Sequence, residues 1–289
     1  MVILDSDSTT NGVDDTLTNG YKIKVDPIQL QWLELDVAHI DKSKIKGIVI
    51  CAHCPLLRST GGNYMIKAAE VIVIVKEIPV TALIGHNHND RFVEKNLPTY
   101  GKTMREYLHP SLAGTAWLTS SCTEGTPASI VAYTFNAGKT ASRTYVPYGD
   151  NENLRYRVYD KGSGYAITRG SFIDKSPDND DATLTAPAVI VNAWAATRVS
   201  FAESSGGVGT TLRSQTCDPG YRTWFWASLT SSARNSIVKN SVYPNGPAWQ
   251  QPGKSSNIWK YIPADSKAEI TVTITYEFGR VETVKLYAE

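Results

Sequence analysis

His53, His86 and His88 are the side chains of this sequence best suited to hold a metal ion, because imidazole is a ligand that several divalent transition metals accept. His53 and Cys54 follow a short apolar run that includes Ile48-Val49-Ile50. His86 and His88 follow a second run, Val80-Thr81-Ala82-Leu83-Ile84, after Gly85. Short continuous β-branched runs suit strands covered on both faces, as in a parallel sheet. The segment between them is long enough for a right-handed helical crossover. Parallel strands joined this way end on one edge of the sheet, which places all three histidines where open α/β sheets bind their ligands. His86 and His88 stand two apart, so an extended backbone turns both imidazoles to one side. Gly85 lets the backbone bend where the strand ends. Three neutral imidazoles hold one Zn²⁺-like ion with an open position.

The elements that position these residues begin at the start of the chain. Val2-Ile3-Leu4 reads as a buried strand, and the polar, glycine-bearing residues 6–20 read as a loop. Asp26-Pro27 is a helix start, with an N-cap acceptor ahead of proline at the first helical position. Leu30, Leu33 and Val37 recur at helical spacing, and the helix is expected to end near His39, which suits a solvated helix C-terminus. In the connecting segment, Val71-Ile72-Val73-Ile74-Val75 favours strand, whereas Lys67, Glu70, Lys76 and Glu77 fall on roughly one helical face.

The ordered set of Gln29-Leu30-Gln31-Trp32-Leu33-Glu34, Ala52-His53-Cys54-Pro55 and Gly85-His86-Asn87-His88 resembles the calcineurin-like metallophosphoesterases: their helix before the HxP strand, the HxP motif and the GHxH motif. The resemblance implies a helix between the two strands, and residues 63–78 are read as helix accordingly. It also implies two divalent ions (Mn, Fe, Zn or Mg), with His53 and His86 on one and His88 on the other. In such a site two ions about 3.5–4 Å apart hold the phosphate and acidify a bridging water. The family's DxH, GD and GNH motifs, expected before the HxP strand, are absent here; Asp5-Ser6-Asp7 mimics the first only superficially. The chain is therefore read as the C-terminal portion of a bacterial phosphoesterase, binding at most one ion and giving little or no turnover by itself.

Beyond Asp90 the sequence changes character. Residues 91–110 are charged and read as irregular, ending in Leu108-His109-Pro110. His109 is read as holding the junction to the next domain. The resemblance places a histidine just before the family's β domain, so His109, with Asn87, is also a candidate to face substrate. Period-two alternation in Leu154-Tyr156-Val158 and Ile270-Val272-Ile274 describes half-buried antiparallel strands. With residues 129–135, 143–148, 187–193 and 198–202, and a hairpin turn at Phe278-Gly279-Arg280, these predict a β-sandwich. Gly114-Thr115-Ala116-Trp117, Asn192-Ala193-Trp194, Cys217-Asp218-Pro219 and Ile258-Trp259 resemble the C-terminal β domain fused to the enzyme in a bacterial subgroup. The predicted architecture is α/β plus all-β: the C-terminal half of a metallophosphoesterase α/β sandwich over residues 1–112, then an antiparallel β-sandwich over 113–289.

Composition bounds what else the chain can do. A net charge of +1 gives no global pull toward nucleic acid or anionic membrane, and there is no nucleic-acid signature. No run approaches the roughly 20 apolar residues of a membrane span. Met1-Val2-Ile3-Leu4 leads into Asp5 without a basic region or cleavage site, so no signal peptide is read, although the resembled family is often exported. The four cysteines form no dense disulfide framework. Cys51 and Cys54 have structural-zinc spacing, but Cys51 lies in an apolar strand where a buried thiol is ordinary. Asp178-Asn179-Asp180-Asp181 lacks the glycine and distal glutamate of a calcium loop. Gly206-Gly207-Val208-Gly209 has no following lysine for a phosphate cradle. Trp194, Trp224, Trp226, Trp249 and Trp259 are read as core rather than as a stacking platform. The functional expectation is phosphate-ester hydrolysis by metal-activated water. The alternative is a non-catalytic β-sandwich binding module carrying a degenerate phosphoesterase half-domain, with oligomerisation through an exposed sheet edge.

Overall fold

The structure is a computed structural model that describes residues 1–5, 24–57, 67–97, 102–114, 120–136, 139–147, 155–167, 173–175, 186–213, 217–222 and 255–289. Strands predominate, and none of the described helices is long and apolar enough to cross a membrane. The chain divides into two compact units, Met1–Ser111 with Val131–Thr144, and Leu112–Ile130 with Tyr145–Glu289.

The first unit is built on a mostly parallel sheet. Its elements are β1 (Val2–Leu4), α1 (Pro27–His39), β2 (Ile48–Ala52), α2 (Ala68–Ile74), β3 (Val80–Ile84), β4 (Arg91–Leu97) and β5 (Lys102–Leu108). The strand order is β1-β2-β3-β5-β4, with β4 antiparallel at one edge and the other neighbours parallel. Helix α1 starts as the sequence predicts, with the Asp26 carboxylate accepting from the Ile28 N–H at 2.7 Å. Leu33 and Val37 turn into the core, while Ile28, Trp32 and Leu35 remain exposed. The β-branched run 71–75 folds as helix rather than strand through residue 74, because burying Val71 and Ile72 against the sheet outweighs local propensity. Ile50, Ala82 and Ile84 are fully buried, so β2 and β3 form the floor of this core.

Two expectations fail in this unit. Residues 91–110 are not irregular but form the β4–β5 pair. The charges that hid them are accommodated by pairing, since the Arg105 Nε donates to the Glu94 carboxylate across the ladder at 2.6 Å. The strands read from residues 129–135 and 143–148 exist as β6 (Ser129–Asn136) and β7 (Lys139–Pro147), but they form a separate two-stranded sheet. Residues 131–144 of that hairpin belong to the first unit.

The second unit contains β8 (Tyr156–Lys161), β9 (Tyr165–Ile167), β10 (Ile173–Lys175), β11 (Ala188–Ala193), β12 (Ala196–Glu203), β13 (Thr210–Arg213), β14 (Ile258–Ile262), β15 (Ile270–Tyr276) and β16 (Val281–Ala288). One sheet runs β10-β8-β11-β14-β13 and another β12-β15-β16-β9. Apart from the parallel β10–β8 pair, all of these pairings are antiparallel. Both sheets contribute to one core, including Val158, Val191 and Trp259 from the first and Ile270, Val272 and Leu286 from the second. The alternation read in residues 270–274 is realised, and a 3-10 turn over Glu277–Gly279 joins β15 to β16. Trp194 and Trp259 are core side chains, while Trp117, Trp224, Trp226, Trp249, Leu154, the Asp178–Asp181 loop and the Ser6-Asp7 turn lie outside the described residues.

Two sequence motifs of this unit meet in one buried polar network. The Asp218 carboxylate accepts from Asn192 Nδ2 at 2.7 Å, from the Tyr159 hydroxyl at 3.0 Å and from the Tyr221 N–H at 2.8 Å. Gly125 lies against it with φ of 84°, and a Cβ added there meets Asp218 Cγ at 2.2 Å. A fixed buried carboxylate cannot retreat without leaving its donors unpaired. Gly125→Ala is expected to cost roughly 3 kcal/mol and lower the melting temperature by about 6–12 °C. Gly162→Ala, also at positive φ but facing open space, should cost only about 1 kcal/mol. Equal losses in thermal melts of the two variants would rule out the collision.

Candidate metal centre

The centre is assembled by the sheet register. Ala52 pairs with Ile84 and Ile84 with Leu108, which aligns the ends of β2, β3 and β5. The ladder then runs one step further: the Gly85 N–H donates to the His53 carbonyl at 3.0 Å and the His109 N–H to the Ile84 carbonyl at 2.9 Å. His53, the Gly85-His86 turn and His109 therefore stand side by side at the carboxyl edge; the sequence predicts this place for His53 and His86, but not for His109, which it reads in an irregular segment.

His53 Nε2 and His86 Nδ1 lie 3.2 Å apart, with the rings edge to face at 86° and their centroids 5.1 Å apart. Cys54 joins them, and one donor atom from each of the three side chains lies within 4.8 Å of the others. His53 is exposed, His86 half-buried and Cys54 buried, so the group has a wet side and a dry side. Two nitrogens on one tetrahedral ion at 2.0–2.1 Å stand about 3.3 Å apart. The observed separation fits a shared ion. Among the described residues, no carboxylate belongs to this group.

The group consists of His53, Cys54 and His86; His88, which the resemblance puts on a second ion, is not among them. Strand alternation cannot be extended past Ile84, because His86 and His88 both have left-handed backbones, with φ of 69° and 50°. The Asn87 N–H closes back onto the Gly85 carbonyl at 2.9 Å. Left-handed non-glycine residues cost on the order of 1–2 kcal/mol each and concentrate at functional sites. Burial lowers the His88 pKa, and the neighbouring His53 adds to the effect. On the β2 side the chain bends at His53-Cys54, so adjacent side chains need not point to opposite faces. The other thiol of the Cys-x-x-Cys spacing, Cys51, stays half-buried in β2, and burial raises its pKa.

His109 is held from both sides. Its Nδ1 donates to the Ile84 carbonyl at 2.7 Å and its Nε2 accepts from the Tyr133 hydroxyl at 2.8 Å. Burial lowers its pKa, consistent with a neutral ring donating at one nitrogen and accepting at the other. Next in the same wall is a buried ion pair, Arg143 to Asp90 at 3.4 Å, with the Arg143 guanidinium 5.1 Å from the Tyr107 ring. Asp90 closes the turn that carries His86, Asn87 and His88. The turn is thus tied at its entry by His109 and at its exit by Arg143. Sequence reasoning missed Tyr133 and Arg143 because their hairpin was assigned elsewhere.

Glu106 is a third support that the sequence reading missed. Fully buried in β5, it accepts from the Leu56 and Leu57 N–H groups at 2.7 and 3.1 Å, fastening the chain just beyond Cys54. The alternation Met104-Glu106-Leu108 in an otherwise charged segment is the signal that would have marked it as a core carboxylate. Burial pushes its pKa up to about 7, against the opposing pull of those two N–H groups and Arg91. A folded pKa above the ordinary value of 4.5 means that the folded chain binds more protons than the unfolded chain between those limits. Stability from this group therefore falls as pH rises from about 4.5 to about 7 and levels off above, by an amount on the order of 3 kcal/mol. Denaturant titrations of wild type and Glu106→Gln across that range should differ by this slope. Parallel profiles would contradict it.

Against known proteins, the chain matches no family model and no curated protein.

Proposed function

We propose that this chain carries the histidine edge of a metal-dependent phosphoesterase site, binding one divalent ion through His53 and His86. The single observation that supports this most strongly is the 3.2 Å approach of His53 Nε2 to His86 Nδ1 at the ends of adjacent parallel strands. A bound divalent ion supplies Lewis acidity, polarising a phosphoryl oxygen and lowering the pKa of water from 15.7 toward about 7. The chain's own part is to hold two imidazoles at fixed separation on a solvent-facing edge. Under this proposal Asn87 and His88, half-buried on the same turn, meet a phosphate ester beside the ion. In this reading His109 orients the end of β3 rather than touching substrate, since both of its ring nitrogens are engaged. The second unit is read as the family's β-sandwich, fused behind the phosphoesterase unit.

A two-ion site needs a bridging carboxylate, and among the described residues none stands with the histidines. We therefore expect one ion per chain and hydrolysis of an aryl phosphate or phosphodiester at or near background with Mn²⁺. Metal-loaded protein should bind inorganic phosphate, whereas metal-free protein and the His53→Ala/His86→Ala double variant should not. Equilibrium dialysis and phosphate titration calorimetry check both points. Metal bound without any phosphate recruitment would sink the phosphoesterase reading and favour the non-catalytic module. Rapid turnover lost in the double variant would show a more complete site than the described residues provide.

A further inference from the structure

We infer that Cys54 is itself a metal ligand, so that His53, Cys54 and His86 form a thiolate–bis-imidazole site that selects a borderline ion of the Zn²⁺ class over hard ions such as Mn²⁺ or Mg²⁺. The inference rests on the reading that the β2–β3 edge binds metal, and goes beyond it by naming the third donor and the class of ion.

Four observations carry it. The cysteine sulfur and one nitrogen of each histidine lie within 4.8 Å of one another, a spread that small side-chain rotations close to bonding distances of about 2.0–2.3 Å. Cys54 is 2% exposed while His53 is exposed, so the sulfur lies on the dry side and leaves the wet side for a fourth ligand. The backbone on either side of the sulfur is fixed. Just behind it, the Glu106 carboxylate holds the Leu56 and Leu57 N–H groups, and just ahead of it, the His53 carbonyl accepts from Gly85. The third histidine of the sequence reading is absent from the group, so two imidazoles alone would be a weak set without the sulfur.

The chemistry balances without a redox partner. On binding, the Cys54 thiol releases its proton to solvent and the sulfur donates an electron pair to the ion, whose oxidation state does not change. Two imidazoles and one thiolate with an open position are a donor set of the kind catalytic zinc sites use, and thiolate favours softer ions. Hard ions that prefer oxygen gain little from it.

The test uses the full chain, stripped of metal and titrated with Co²⁺ as a spectroscopic probe, followed by Zn²⁺ and Mn²⁺ competition. We expect visible ligand-field bands together with a near-ultraviolet sulfur-to-cobalt charge-transfer band. Cys54→Ser and Cys54→Ala should lose the charge-transfer band and weaken Zn²⁺ binding by at least about 10- to 100-fold, the loss that even an outer-shell partner's removal causes. The same variants should lower the Zn²⁺-over-Mn²⁺ preference and release one proton fewer on Zn²⁺ binding. Cys51→Ser, at the half-buried thiol inside β2, should change none of these. Circular dichroism of each variant separates loss of ligand from loss of fold. Ligand-field bands without the charge-transfer band in wild type, or a band that survives in both folded Cys54 variants, would overturn the role of Cys54 while leaving a histidine metal site standing. Absence of any Co²⁺ or Zn²⁺ binding would overturn both readings.

Discussion

Two peptide hydrogen bonds set everything else at the candidate site: Gly85 N–H to His53 carbonyl and His109 N–H to Ile84 carbonyl. They continue the parallel ladder of β2, β3 and β5 past its last paired residues. Neighbouring strands stand about 4.8 Å apart, so residues adjacent in register necessarily bring their side chains within reach of a common ligand. A one-residue slip of β3 against β2 would turn alternate core residues such as Ala82 and Ile84 toward the other face. The apolar pattern that fills the core therefore also fixes the separation of the two imidazoles.

A ladder fixes strand ends but not the turns that follow, and this unit uses buried polar contacts for that purpose. Isolated charges are expensive in an apolar wall, and each one present here is matched to a feature of the site. Arg143 meets Asp90 at the exit of the histidine turn, and Glu106 meets two backbone donors beyond Cys54. Replacing such groups with apolar ones of similar shape is often neutral or stabilising in other proteins. Their value here is then positional rather than energetic, as the two left-handed histidines suggest. Residues held at φ of 69° and 50° persist only when their surroundings over-determine them.

What could be read from the sequence follows the range of the physics involved. Local signals were sufficient for α1, whose Asp26 cap and Pro27 start are realised, and for β3, whose apolar run has the boundaries its composition implies. The alternation of Ile270, Val272 and Ile274 likewise gave β15. The β4–β5 pair was obscured because Arg105 and Glu94 look like loop charges until the ladder places them opposite each other. The same long-range blindness hid Glu106, whose partners lie about 50 residues away, and Arg143, 53 residues from Asp90. The orientation of His88 lies beyond strand periodicity, which ends where φ changes sign.

That limit bears on the chemistry. A turn in which alternate residues are left-handed is no longer a strand, so alternation does not decide where its two histidines point. Here the bend at His53-Cys54 and the turn at Gly85-His86 bring a sulfur beside the two imidazoles. Hard ions bridged by a carboxylate and softer ions held by thiolate and imidazole ask for different donors. The site proposed from His53, Cys54 and His86 is of the second kind. Both strand ends are held in place by the ladder and by buried polar contacts, so in the proposed site the identity of the third donor, more than the motif itself, decides which ion fits.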